Sequence, residues 1–344
     1  MLAGYPFPSL PARHRVILFR LAMSAHTILV LGNPAARHLE LLDQLPDDTR
    51  ILAGETVEAF QHAASEAQVV LLAGSYAGLL RSLWPELRQL QWVHSLWAGL
   101  ESNLFPELVE SPVILTNGRG VFARSLGEFA LAGMLHFAKN LSRMKAQQAS
   151  ARWQSFDIEE LHGHTLGIVG YGSIGRVAAE RARAFGMRIL ALRRHPEKCT
   201  DDPLVDRAYA PEQLNDLLAE SDYILAAAPL TPETRGLIGE SAFAAMKPTA
   251  VLINLGRGPV VVEAQLVRAL QERRIRGAVL DVFDEEPLPA GHPFWCLDNV
   301  LLSPHTADHT DTWLQEAVEL FLENYRRFAA GEPLLNVTDK RLGY

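Results

Sequence analysis

Arg257, Glu286 and His305 are residue types that together can hold a carboxylate and move a proton. Each follows a short apolar run. Arg257 follows "VLIN" in "NLGRGPVV", Glu286 follows "VLDVF" in "DEEPLP", and His305 follows "VLLS" in "SPHTA". If those runs are parallel strands, all three residues lie beyond strand C-termini, where open α/β sheets bind their ligands. The types suit reduction of a 2-keto acid. A guanidinium binds the carboxylate and polarises the ketone. An imidazolium protonates the alkoxide that develops as hydride arrives. A carboxylate beside the imidazole favours its charged form and fixes its orientation. Singly, each residue has a plainer reading: a surface arginine, an acidic turn, a loop histidine. Together, behind a nucleotide fold, they read as one site.

The nucleotide signal is "GYGSIG", a full G-x-G-x-x-G formed by Gly170, Gly172 and Gly175. It follows the apolar "TLGIV" and opens a helical stretch, the context the motif requires. The first glycine permits the tight turn, the second lets backbone approach a pyrophosphate, and the third lets helix and strand pack closely. The amides of Ser173 and Ile174 then lie at a helix N-terminus, where partial positive charge meets phosphate. An NAD site usually places Asp or Glu at the end of the next strand, roughly 20 residues on, to accept hydrogen bonds from the ribose. Here "ILALRRHP" places Arg193 and Arg194 there. A guanidinium binds a 2′-phosphate that a carboxylate would repel. The pair therefore favours NADP(H) over NAD(H). The other reading is two solvated arginines beside an NAD site that lacks its acid.

These residues need a parallel sheet to position them. The pattern from Ile28 predicts strands at 28–31, 69–73 and 91–96 with helical stretches between, which is βαβ alternation. A long helix is expected over 123–149, with Ser125 and Glu128 at capping-box spacing near its start. A second series predicts strands at 165–170, 188–192, 223–228, 250–254, 277–283 and 299–303, with helices at 174–185, 211–219, 239–246 and 260–273. A last amphipathic helix falls near 310–329. Two α/β lobes follow. Residues 1–22 read as an irregular leader, with Met23 as a natural start. Residues 23–118 and 307–344 are expected to form one discontinuous substrate lobe around a dinucleotide-binding lobe of 119–306.

The bulk numbers agree with this class. A chain of 344 residues, 48% hydrophobic and 21% charged, suits two globular domains. A net charge of −8 argues against nucleic acid or an anionic membrane as the main partner. Two cysteines, Cys199 and Cys296, read as reduced thiols in a cytoplasmic protein. No apolar run approaches the roughly 20 residues that span a bilayer. His305 and His309 stand four apart but lack a third ligand at convincing spacing, so no metal is expected. His162 and His164 read as loop residues, and Trp84, Trp92 and Trp97 as core and cleft packing.

At this point the chain resembles the D-isomer-specific 2-hydroxyacid dehydrogenase family. The motifs that carry the resemblance are "TLGIVGYGSIGR", "LAAAPLTPETRGLI", "LINLGRGPVVVE", "GAVLDVFDEEPLP" and "NVLLSPHTA", from about Gly163 to Ala307. The first lobe and final helix match more loosely. The resemblance implies a Rossmann-type cofactor domain and a smaller flavodoxin-like substrate domain. It implies a catalytic set carried by Arg257, Glu286 and His305, and Asp281 holding the nicotinamide carboxamide. Pro229, Thr234, Leu255, Gly256 and Ala307 would line the cofactor. The loop "SLWAG" would offer the amides of Ala98 and Gly99 to the substrate carboxylate, and Trp97 either restricts that pocket or only packs. It further implies a homodimer formed through the cofactor lobe.

Some positions depart from the family pattern. Arg193 replaces its usual Asp, as in NADP-preferring members such as glyoxylate/hydroxypyruvate reductases. Glu101 replaces a common Asp, and Asp308 stands where small residues are frequent. Related formate dehydrogenases lack the partner found here as Glu286. The chain leaves no room after the last helix for the regulatory domain appended in many phosphoglycerate dehydrogenases. The expectation is hydride transfer between NADP(H) and a small 2-keto acid of the glyoxylate/hydroxypyruvate type. The alternatives are an NAD-dependent phosphoglycerate-type dehydrogenase and a dinucleotide-sensing protein similar to the family's corepressors.

Overall fold

The structure, a computed structural model, describes residues 26–343; the expectations for 1–22 and Met23 lie outside them. The first lobe is built on a parallel sheet of order β2-β1-β3-β4-β5. Its strands are β1 (Thr27–Leu31), β2 (Arg50–Gly54), β3 (Val69–Leu72), β4 (Trp92–Ser95) and β5 (Ile114–Asn117), with short helices α1 (Ala77–Leu83) and α2 (Pro106–Glu110). That order is flavodoxin-like. Then come α3 (Ala123–Ala138) and α4 (Leu141–Ala149).

The second lobe holds β6 (Thr165–Val169), α5 (Ser173–Ala184), β7 (Arg188–Leu192), β8 (Arg207–Tyr209), α6 (Leu214–Glu220), β9 (Tyr223–Ala226) and α7 (Glu240–Ala245). It continues through β10 (Val251–Asn254), α8 (Glu263–Gln271), β11 (Gly277–Leu280) and β12 (Val300–Leu302). Its parallel order is β12-β11-β10-β9-β6-β7-β8. Renumbered from β6, this is the doubly wound 3-2-1-4-5-6 order with one further strand, and the order reverses between β6 and β9. The fold class expected from the sequence is the one observed. The central strands read as apolar runs because helices cover both faces: β6, β9 and β10 are buried along their whole length.

The last helix, α9 (Trp313–Ala330), turns back onto the first sheet. Its Ala317, Val318, Phe321, Leu322 and Tyr325 share one core with Ile28, Val30, Leu71 and Trp92. Burying such large side chains stabilises the junction by about 1.5–3 kcal/mol each. The tail follows the same lobe: Thr338 N donates to Leu115 O at 2.9 Å.

Two local expectations are corrected. The stretch 123–149 is two helices, not one. Asn140 takes a left-handed φ of 51°, and its side chain accepts from Arg143 N at 3.4 Å. It thus ends α3 and caps α4. Ser125 and Glu128 form no capping box, because α3 begins after Phe122. Instead Ser125 Oγ donates to Ala307 O at 2.6 Å and Glu128 pairs with Arg181. His305 and His309 both lie in the loop before α9.

Candidate active site

The Gly-rich turn lies at the reversal of strand order. Gly170 has φ +96°, and a Cβ there would come within 2.5 Å of Ala228 N on the neighbouring strand's exit. Gly172 caps α5, and a Cβ on it would meet no protein atom within 4 Å. That open side is where a pyrophosphate fits, against the amides of Ser173 and Ile174 at the helix start. A Cβ on Gly175 would press on Ile168 Cγ2 at 2.8 Å, so this glycine serves helix–strand packing. The three glycines thus divide the work as the motif demands, and these residues fit a dinucleotide.

Arg193 and Arg194 follow β7, one strand from the turn. Arg193 Nη1 lies 3.9 Å from Cys199 Sγ, and Arg194 Nη2 lies 3.9 Å from Glu233 Oε2. Glu233 belongs to the turn after β9 that also carries Pro229 and Thr234. There Thr234 Oγ1 donates to Pro229 O at 2.6 Å, and Thr231 N donates to Thr234 Oγ1 at 2.8 Å. Asp281, at the exit of β11, is 2% exposed. Its Oδ1 accepts from Thr306 N at 3.0 Å and Ala307 N at 3.1 Å, which ties it to the loop bearing His305. Leu255 is buried beside β10, and Gly256 N donates to Asn254 Oδ1 at 3.2 Å.

His305 and Glu286 form a hydrogen-bonded pair. His305 Nδ1 lies 2.6 Å from Glu286 Oε2, and the other oxygen of Glu286 accepts from Phe283 N at 2.9 Å. An ionised carboxylate only accepts, so Nδ1 carries the proton in this bond and Nε2 is the ring atom left for a substrate. His305 has φ 53°, a strained backbone at the position where chemistry is expected. Glu263 on α8 holds the loop of Glu286: it accepts from Asp284 N at 3.1 Å and faces His292 Nε2 at 3.1 Å.

Arg257 reaches the other lobe. Asn254 Nδ2 donates to Arg257 O at 3.1 Å, pinning the turn after β10. The guanidinium lies against Gly99, so closely that a Cβ there would overlap Nη2. Its Nε donates to Glu101 Oε1 at 3.0 Å. The loop after β4 is itself fixed, with Asn117 Nδ2 donating to Ala98 O at 2.7 Å. Trp97 packs on Trp313 of α9 with ring centroids 4.9 Å apart, and His309 stacks on the same indole at 4.9 Å. Burial pushes the Asp308 carboxyl up, against the pull of nearby His309 and His305.

The structure therefore pairs Glu286 with His305 and sets Arg257 against Gly99, each at the exit of one of the neighbouring strands β10, β11 and β12. Trp97 packs in the aromatic stack rather than standing alone in a pocket. Glu101, Asn254 and Glu263 were not singled out as site residues, and only Glu101 carried a signal, as a departure from a family pattern. Among the described residues no group of three potential ligands could hold a metal ion.

A family model described as "D-isomer specific 2-hydroxyacid dehydrogenase, NAD binding domain" matches residues 131–307. The chain is 35% identical over 262 residues to glyoxylate/hydroxypyruvate reductase A of Photorhabdus laumondii, covering 74% of this chain and 82% of that one. It is 30% identical over 304 residues to a D-3-phosphoglycerate dehydrogenase of Methanocaldococcus jannaschii, covering 88% of this chain but 57% of that longer one. Among solved structures, a D-isomer specific 2-hydroxyacid dehydrogenase from Xanthobacter autotrophicus in complex with NADPH and MES superposes with a TM-score of 0.81 at 28% identity, covering 93% of this chain and 100% of that one.

Proposed function

The chain belongs to the D-isomer specific 2-hydroxyacid dehydrogenase family, and on that premise we propose that it reduces small 2-keto acids of the glyoxylate/hydroxypyruvate type with NADPH. The reaction class comes with the family: an NAD(P)-dependent oxidoreductase acting on CH–OH donors. The observation that supports the finer reading is His305 hydrogen-bonded to Glu286 at 2.6 Å, two strands from an Arg257 that lies against Gly99.

In this reading Gly170, Gly172, Ser173, Ile174 and Gly175 hold the pyrophosphate. Pro229, Thr234, Leu255, Gly256 and Ala307 line the path to the nicotinamide, and Asp281 receives its carboxamide. The reduced nicotinamide supplies the hydride. Arg257 and the amides of Ala98 and Gly99 bind the substrate carboxylate, and Arg257 polarises the ketone. His305 gives its Nε2 proton to the alkoxide oxygen, while Glu286 stabilises the imidazolium. Trp97 and its stack wall the cleft. Arg193 and Arg194 clamp the 2′-phosphate, with Glu233 3.9 Å from Arg194 at the same edge of the site. With the lobes divided at 118/119 and 306/307, the cleft in this reading lies between the two sheets.

We also propose a cytoplasmic homodimer. Leu141, Met144, Trp153 and Ile158 are exposed on α4 and the segment that follows it, Trp153 completely at 101%. Such a cluster on one arm of the cofactor lobe fits a partner surface. Both cysteines are unpaired, and no helix among the described residues is long and apolar enough to cross a membrane.

The test is reduction of glyoxylate, hydroxypyruvate and phenylpyruvate by the full chain with NADPH. Turnover of about 1 s⁻¹ or faster with any of them supports the reading. No turnover with all three, together with tight dinucleotide binding, favours a sensing protein instead.

A further inference from the structure

Arg257 is held by more than its own turn. Its Nη1 donates to Gly256 O at 2.8 Å and its Nε to Glu101 Oε1 at 3.0 Å. Its Nη2 lies over Gly99, where Glu101 Oε2 comes within 2.8 Å of the position a Cβ would take. Two of the three guanidinium nitrogens therefore have protein acceptors, and the third faces the substrate loop. The bond to Glu101 joins residues 156 apart in the sequence and spans the two lobes.

The charges around the cleft are mostly negative. His305 is matched by Glu286 at 2.6 Å. Arg257 is matched by Glu101 at 3.0 Å. Asp281 lies buried behind the His305 loop, and Asp308 stands between His305 and His309. The substrate's own carboxylate can share Arg257 with Glu101 because the loop amides of Ala98 and Gly99 help to hold it. A second anionic group on the substrate would meet Arg257 already shared and a full carboxylate nearby.

We propose that Glu101 is a positioning and specificity residue: it holds the Nε edge of Arg257 and confines the site to 2-keto acids that carry a single negative charge. The inference rests on the proposed reading of the cleft as a 2-keto acid site. It excludes phosphorylated and dicarboxylic keto acids as good substrates. Two like charges about 7 Å apart at an effective dielectric of about 30 cost on the order of a tenfold loss in binding.

The experiment compares hydroxypyruvate with ketomalonate, a keto acid of nearly the same size with one more negative charge. The ratio of their kcat/KM values is measured for the wild type, Glu101→Gln, Glu101→Asp and Glu101→Ala, with the full chain and NADPH. Hydration of ketomalonate is common to all four and cancels between them. In Glu101→Gln the preference for hydroxypyruvate falls about tenfold. Its hydroxypyruvate KM drops while kcat falls about two- to threefold, because the amide oxygen still accepts from Nε. Glu101→Asp keeps the preference, since it keeps the charge, and loses kcat through the shorter reach. Glu101→Ala loses the preference and about ten- to a hundredfold in kcat as Arg257 drifts.

A ratio unchanged within twofold in both Glu101→Gln and Glu101→Ala overturns the proposal. So does a ratio lost equally in Glu101→Asp, which would mark a purely geometric role. If the wild type reduces neither hydroxypyruvate nor any other 2-keto acid, the reading of the cleft has failed rather than the role given to Glu101. Glycerate, with one negative charge, is then tested against tartronate, with two, as a competitor of dinucleotide-dependent fluorescence. Equal displacement of both by the wild type overturns the charge restriction, and a preference abolished by Glu101→Gln supports it.

Discussion

Glu286 and His305 act as one unit because each fixes what the other can do. The carboxylate accepts from Nδ1 at 2.6 Å and from Phe283 N at 2.9 Å, so neither the ring nor the carboxylate is free to turn. Replacing His305 with Gln removes the proton donor and should lower kcat about 10³-fold. Glu286→Gln keeps an acceptor for Nδ1 but removes the charge that stabilises the imidazolium, so its loss should be smaller, about 10- to 100-fold. Both are read as NADPH oxidation at saturating keto acid. A Glu286→Gln enzyme as fast as the wild type would remove that carboxylate from the mechanism. These residues were legible in the sequence because strand exits in a parallel sheet converge, and three chemically suitable types stood at three such exits. Glu101 was not legible in that way. Its partner lies in the other lobe, and nothing in "WAGLES" says that Arg257 will reach it.

At the scale of elements, the central strands and the edge strand β12 announced themselves, while the edge strands β2, β5 and β8 did not. β1 and β6 are buried throughout and read as unbroken apolar runs. β2 begins with two exposed residues, β5 begins with one, and β8 is only three residues long. Each lies at or next to a sheet edge, where one flank needs no apolar cover. The break at Asn140 was hidden for a different reason: Asn tolerates the left-handed region, but the surrounding helical pattern continues through it. One element carries a pH dependence. His94 of β4 is fully buried, bonded through Nδ1 to Thr116 Oγ1 at 2.7 Å, and burial pushes its imidazole down to about 3. The unfolded chain takes up this proton below about 6.5, and the folded chain resists until about 3. The unfolded state thus binds more protons across that window, so stability falls as pH falls through it. In His94→Gln the drop in Tm between pH 7 and pH 4.5 should be smaller by about 3 °C or more, although Tm at pH 7 is itself lower. An unaltered drop would mean that His94 is not what acid attacks.

At the scale of the whole molecule, the two alternating series in the sequence became two sheets, and the first lobe is completed by α9. The sequence could not say how the lobes face one another, because the contacts that decide it are single pairs far apart in the chain. They are Arg257 with Glu101, Arg124 with Glu316 at 2.6 Å, and Phe122 on Trp313 at 5.9 Å. The exposed Trp153 and Ile158 are the surface offered to the proposed second copy. Light scattering should give the mass of two chains, and a combined Trp153→Glu, Ile158→Glu variant should shift it toward one; a monomeric wild type would sink the dimer. Arg193 and Arg194 decide which dinucleotide the cofactor lobe prefers. With one preparation of the full chain and saturating glyoxylate, kcat/KM is measured for NADPH and for NADH. The account predicts at least a tenfold preference for NADPH, from a phosphate held by Arg193 and Arg194. Equal use of the two, or a preference for NADH, would contradict it.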